Sequence, residues 1–211
     1  MSYAVKEIFL TLQGEGVHTG RRAVFLRFAG CNLWSGREQD RSQAICRFCD
    51  TDFVGTDGVG GGKFTSAQAL AEAVVSAWGD VTDGVRYVVI TGGEPLLQLD
   101  VALIDSLHDW HFEIGVETNG TIVAPAGIDW LCVSPKAGSE TVQRSGNELK
   151  LIWPQPGSDP AAMIQWRFDH FMIQPMDGDK IEESRAAAIA FILANPRWRL
   201  SIQTHKILGI A

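Results

Sequence analysis

No apolar run in this sequence approaches the roughly 18 residues that a membrane-spanning helix needs, so no membrane span is expected. The stretch Met1–Ile8 carries Lys6 and Glu7 and lacks a long apolar core, which argues against a secretory signal and for a cytoplasmic protein. Basic residues are in the minority, with 18 Lys and Arg against 25 Asp and Glu, a formal net charge of −7. That balance argues against a nonspecific grip on nucleic acid, which needs clustered cations to displace counterions. Cysteine is scarce, at four residues, and three of them crowd into positions 31–49. A chain of this size needs no covalent staples and the cytosol is reducing, so a structural disulfide is not expected. His18, His108, His111 and His170 show no metal-ligand spacing and read as surface or packing residues. Internal repeats and low-complexity tracts are absent.

What remains is an ordinary globular composition, 45% hydrophobic and 20% charged over 211 residues, enough for one domain with a real core. Strand-like and helix-like segments alternate. Strands are expected at Ala23–Ala29, Arg86–Thr91, Phe112–Glu117, Trp130–Ser134, Glu148–Trp153, His170–Gln174 and Arg199–Thr204. Helices are expected at Thr65–Trp78, Leu97–Trp110, Ala161–Phe168 and Ile181–Ala194, the last stopped by Asn195-Pro196. Gly55–Lys63, with five glycines, reads as a mobile loop. It resembles a phosphate-binding loop but has Asp57 where the first glycine belongs and Phe64 in place of Ser or Thr.

Such alternation implies parallel pairing through right-handed crossovers. A closed eightfold barrel takes about 250 residues, so the expected fold is an α/β, open or partial β/α barrel with about six parallel strands. The whole of 1–211 forms one domain in this reading. Ligands in such sheets sit at the carboxyl ends of the strands. The polar motifs fall there: Arg27, Thr91-Gly92-Gly93-Glu94, Glu117-Thr118-Asn119, Ser134-Pro135-Lys136 and Gln174-Pro175-Met176-Asp177.

Cys46 and Cys49 are separated by two residues, and Cys31 precedes them by a 14-residue spacer, Asn32–Ile45. Thiolates grouped on a loop after a strand are soft ligands for iron–sulfur or zinc. Three thiolates leave one iron of a cubane open, whereas structural zinc wants four protein ligands. Cys132, on an apolar strand, reads as core. Spacing alone leaves a cluster, zinc and incidental cysteines all open. Leu33, Trp34 and Ile45 suggest that the spacer is a folded cap.

The run Cys46-Arg47-Phe48-Cys49-Asp50-Thr51 resembles the cluster loop of radical S-adenosylmethionine enzymes, whose usual C-x3-C-x2-C has here become C-x14-C-x2-C. A loop can lengthen without moving its ends, because closure entropy grows slowly with length. Further runs are similar to the 7-carboxy-7-deazaguanine synthase family: Phe9–Gly16, Arg27–Leu33, Thr91–Pro95, Glu117–Gly120, Ser134–Lys136 and Gln203–Lys206. The resemblance implies a [4Fe–4S] cluster on Cys31, Cys46 and Cys49, and Mg2+ on Thr51. It implies S-adenosylmethionine against Phe48, Cys49, Asp50, Gly93, Ser134, Pro135, Lys136, Gln174, Pro175, Met176 and Asp177. It places a pterin substrate on Leu12, Gln13, Gly14, Arg27, Thr91 and the terminal carboxylate of Ala211, with Gln203 and His205 nearby. Glu117 and Asn119 share that face. The resemblance also implies a homodimer, an electron donor such as a flavodoxin or ferredoxin, and conversion of 6-carboxy-5,6,7,8-tetrahydropterin to 7-carboxy-7-deazaguanine. No general acid or base is marked. The competing readings are a radical activase acting on a protein glycine, and a zinc-binding structural module.

Overall fold

The computed structural model describes residues 2–210. Its strands are β1 (Tyr3–Leu12), β2 (Arg22–Phe28), β3 (Gly62–Phe64), β4 (Arg86–Gly92), β5 (Phe112–Thr118), β6 (Trp130–Val133), β7 (Ser145–Trp153), β8 (Arg167–Pro175) and β9 (Arg199–Leu200). Among the described residues they form one open sheet in the order β3-β1-β2-β4-β5-β6-β7-β8-β9. β1 runs antiparallel to both β2 and β3. From β2 to β9 every pairing is parallel, as the alternation of strands and helices implies.

The helices are α1 (Ala67–Trp78), α2 (Val101–Asp109), α3 (Pro160–Met163), α4 (Ile181–Ala194) and α5 (Thr204–Leu208). Side chains at the starts of three of them hold backbone donors that would otherwise be orphaned, Asp159 doing so for Ala162 N in α3. Ser66 accepts from Ala69 N at the start of α1, and Asp100 from Leu103 N at the start of α2.

Successive strand side chains point to opposite faces, and in β4 the two faces part company. Val88 and Ile90 join the main core with Leu70 and Val74 of α1 and Leu103 and Leu107 of α2. Tyr87 and Val89 turn the other way and pack with Ala23 and Phe25. The same parity continues across the sheet, with Ile114 and Val116, Leu149 and Leu151, and Phe171 and Ile173 all in the helix-side core. The opposite face is the polar one.

Several expected boundaries move. β1 and β3 are antiparallel strands that the sequence did not announce. Gly55–Lys63 is not a free loop: Ile8 N donates to Val59 O at 2.7 Å, Gly58 N to Lys6 O at 3.0 Å, and the segment runs into β3. The helix expected from Leu97 starts at Val101, because Pro95–Leu97 forms a separate 3-10 turn. Ala161–Phe168 shrinks to the short α3, since Phe168 already belongs to β8. The strand expected over Arg199–Thr204 lasts two residues, and the chain then turns into α5.

Gly115 sits on the polar face of β5, where an added Cβ would lie 2.2 Å from the Tyr87 hydroxyl. Tyr87 is 1% exposed and has little room to retreat. Gly115→Ala is therefore expected to destabilise the fold by about 1–3 kcal/mol through overpacking. This would appear as a lower urea midpoint with an unchanged m-value, and an unshifted midpoint would show that Tyr87 moves aside freely.

Candidate active site

The polar face ends in a solvent-open cavity with about 950 Å³ of empty space. Cys31, Cys46 and Cys49 line it, joined by Phe48, Asp50 and Thr51 of the same loop. Gly93, Ser134 and Lys136 line another part, and Gln174, Pro175, Met176 and Asp177 the end of β8. Pro135 is buried behind the wall, where its carbonyl accepts from Gln155 Nε2 at 3.3 Å. A second solvent-open chamber, with about 870 Å³ of empty space, is lined by Leu12, Gln13, Gly14, Arg27, Thr91 and His205. Thr51, Asp50, Thr91, Glu15, Glu117 and Gln203 border both, so the two chambers adjoin. Ala211 lies outside the described residues.

The spacer between the first two cysteines is folded. Trp34 packs edge-on against Phe53, with centroids 5.7 Å apart, and the Arg41 guanidinium lies 4.1 Å from the Trp34 ring centroid. Arg41 also donates to the carbonyls of Arg47 and Cys49 at 2.8 and 3.1 Å. Leu33 and Trp34 are buried as expected of a cap, but Ile45 is 46% exposed. No two cysteines are bonded. Cys46 and Cys49 share a hydrogen bond, which holds Cys49 down at about 6 and raises Cys46. Burial raises Cys31. Cys132 stands apart on β6, with its thiol 3.6 Å from Glu148 Oε1. It is buried, but on the polar face rather than in the apolar core.

Among the described residues, no three His, Cys, Asp or Glu side chains converge to hold a single metal ion. A cubane presents a separate iron to each thiolate, so three cysteines around one cavity fit three of its irons and leave the fourth open. Lys136 supplies an independent test of fit. Its ammonium donates to the carbonyl and hydroxyl of Ser134 at 2.6 and 2.7 Å and pairs with no carboxylate among the described residues. Burial pushes its pKa down, while Cys46 and Cys49 oppose the shift. An enclosed cation without a protein anion suits both a thiolate-bound cluster and a ligand carboxylate.

Gly93 is wedged against the cluster loop, where a Cβ would meet Gly30 O at 2.3 Å and Cys31 Cβ at 2.5 Å. Glu94, fully buried, accepts from Leu96 N at 3.0 Å, Thr118 Oγ1 at 2.7 Å and Asn119 N at 2.8 Å. It thereby fastens the turn after β4 to the end of β5. Asn119 Nδ2 reaches Asn32 Oδ1 at 3.0 Å, tying that end to the cluster loop. Arg27 gives its Nε to Glu7 at 2.7 Å. Its two terminal nitrogens form no hydrogen bond among the described residues. From α5, Lys206 bridges Asp50 and Asp177, and Thr204 N and Oγ1 both donate to Gly14 O at 2.9 Å. The segment after β9 thus returns across the mouth of the site.

Residues 41–150 match the family model described as the Radical SAM superfamily. Over the full length of both chains, the sequence is 63% identical to the 7-carboxy-7-deazaguanine synthase of Bradyrhizobium diazoefficiens. The chain belongs to the 7-carboxy-7-deazaguanine synthase family. The family member from Caulobacter vibrioides is 60% identical, again over both full chains. The crystal structure of QueE from Escherichia coli superposes with a TM-score of 0.66 at 27% identity, covering 96% of this chain and 94% of that one. Membership in this radical S-adenosylmethionine family carries with it a [4Fe–4S] cluster and S-adenosylmethionine.

The site also contains Lys150 and Glu148, which motif reading passed over. Lys150 Nζ lies 2.6 Å from Glu15 Oε2 and 2.8 Å from Glu117 Oε2, and Glu148 accepts from Val17 N at 2.9 Å. Their signal is the alternation of charged and apolar residues in Glu148–Lys150. Burial alone would raise the Glu15 carboxyl, but Lys150 and hydrogen bonds from Gln203 and Gln174 override it and hold it at about 2. A carboxyl depressed from 4.5 stabilises the fold fully above about pH 4.5 and loses that contribution as pH falls towards 2. Glu15→Gln should therefore flatten the fall in urea midpoint across this acid window relative to the unaltered protein. Parallel profiles would show that Glu15 is not held low.

Proposed function

We propose that this chain converts 6-carboxy-5,6,7,8-tetrahydropterin to 7-carboxy-7-deazaguanine with loss of ammonia, a step towards 7-deazapurines such as queuosine. The observation that carries the reading is the opening of a three-cysteine cavity directly into a second polar chamber, in a chain akin over its full length to the synthases. The radical-activase and zinc-module readings have no comparable support. In this reading Cys31, Cys46 and Cys49 hold the cluster, and the 32–45 insertion of the single 1–211 domain shields it. Lys136, Ser134, Gly93, Phe48, Asp50 and the Gln174–Asp177 edge surround S-adenosylmethionine, with Pro135 supporting the wall from behind.

When bound, cluster and S-adenosylmethionine together supply the hydrogen-abstracting radical chemistry. The residues of this chain supply position, charge balance and exclusion of water. Arg27 offers the pterin carboxylate two guanidinium nitrogens that form no hydrogen bond among the described residues, a pairing suited to its planar fork. Gln13, with the Leu12 and Gly14 backbone, covers the ring, and Thr91 stands at the junction of the chambers. Ala211 is assigned to the aminopyrimidinone edge from the family resemblance. Thr51 is assigned to Mg2+, a cation that favours oxygen ligands shared with substrate. A homodimer, a flavodoxin or ferredoxin as electron donor, and a cytoplasmic location complete the proposal. Among the described residues, no helix is long and apolar enough to cross a membrane.

The deciding experiment is anaerobic reconstitution with iron and sulfide, followed by incubation with S-adenosylmethionine, Mg2+, a reductant and the carboxytetrahydropterin. The deazaguanine product is expected, and a brown protein that cleaves S-adenosylmethionine yet leaves the pterin intact would overturn the substrate assignment. Cys31→Ala, Cys46→Ala and Cys49→Ala should each lose the cluster, while Cys132→Ala keeps it. Normal iron content in any of the first three refutes that ligand. Thr51→Ala should abolish the stimulation of turnover by Mg2+ without lowering iron content, and an unchanged Mg2+ response removes Thr51 from the metal.

A further inference from the structure

Lys150 is 4% exposed, and its ammonium joins carboxylates from two distant segments, Glu15 after β1 and Glu117 in β5. Each carboxylate has a further partner at the cavity wall. Gln203 Nε2 lies 3.0 Å from Glu15 Oε1, and Gln13 Nε2 lies 3.4 Å from Glu117 Oε1. Gln13 Oε1 in turn accepts from Glu15 N at 3.1 Å. Both carboxylates border both chambers. A triad of buried charges is a poor way to stabilise a wall, because apolar side chains of similar volume pack there at no desolvation cost. Ionised carboxylates are acceptors only, so a pair of them facing a cavity selects a ligand edge rich in N–H donors.

We infer that Lys150 is a positioning residue that holds Glu15 and Glu117 side by side as a pair of acceptors for N–H groups on the reduced ring of the heterocyclic substrate, apart from the aminopyrimidinone edge assigned to Ala211. The inference rests on the pterin reading given above. Without the ammonium, two adjacent carboxylates repel and take up a proton between them, which turns an acceptor into a donor. The other charged and titratable groups around the pair do not replace Lys150. Glu148 on β7, Cys132 on β6 and Tyr87 on β4 are each raised by burial. His18, in the turn after β1, bonds to Tyr87. Arg27 on β2 is tied to Glu7, Lys136 to Ser134, and Lys206 to Asp50 and Asp177.

The test is equilibrium binding of the carboxytetrahydropterin to the reconstituted protein under anaerobic conditions and without reductant, so that no turnover is read. Lys150→Met and Lys150→Arg are compared with the unaltered protein as affinity ratios from about pH 6 to 8.5, which cancels titration of the ligand itself. Lys150→Met is expected to bind the pterin roughly tenfold more weakly at the acid end, to recover as pH rises, and to keep its affinity for S-adenosylmethionine. Lys150→Arg should follow the unaltered protein throughout. Unchanged pterin affinity in Lys150→Met, or equal loss of both ligands with no pH trend, overturns the inference. Should Lys150→Met fail to fold, Glu15→Gln decides: selective loss of pterin affinity supports the pair, and full retention refutes it. An unaltered protein that binds no pterin sinks the substrate reading, and this inference with it. Loss of the inference alone leaves that reading standing.

Discussion

Side-chain parity along the parallel strands governs both the stability of this protein and its chemistry. Pairing sets Arg27 beside Thr91, Glu117 beside Cys132, Cys132 beside Glu148 and Ile152 beside Gln174. All of these face away from the helices, and their neighbours along each strand face towards them. A slip of one residue in any strand would carry its polar set into the helix-side core and its aliphatic set into the cavity. The large cost of that exchange fixes the register, and the fixed register puts groups far apart in sequence on one surface.

A polar surface inside a sheet is tolerable only when its charges are matched. Here the matching also connects segments. Lys150 ties the turn after β1 to β5. Glu94 ties the turn after β4 to the end of β5, and Asn119 continues the chain of contacts to the cluster loop. Because buried hydrogen bonds to charged groups are the costly ones to break, the loops of the cavity are braced by the same interactions that give it polarity.

The sequence was most informative where local chemistry is strongest. The apolar runs of β4 and β8 announced themselves as buried strands, and the cysteine loop and the Gly92-Gly93-Glu94-Pro95 turn stood out as motifs at strand ends. β1 was illegible because its partner β2 is reached through a long turn and its alternation is broken by Lys6 and Glu7. Lys6 makes sense only once Asp52, Asp57 and the Val54 carbonyl are seen around it. α5 was missed because five residues carry too little periodicity to separate helix from strand. Its anchors, Gly14, Asp50 and Asp177, are distant in sequence. Lys150 and Glu148 were readable in principle, since a charge at every second position of an otherwise aliphatic strand marks a polar inner face.

The sheet ends in very short strands on both sides: β3 has three residues and β9 has two. Strands of that length offer few unpaired backbone groups of their own to a neighbouring chain. They cover only Tyr3–Val5 of β1 and Met172–Ile173 of β8, so the sheet tapers in steps at both margins. A neighbouring strand would meet a staggered edge there, and side chains, which a single substitution can retune, would set any self-association along it.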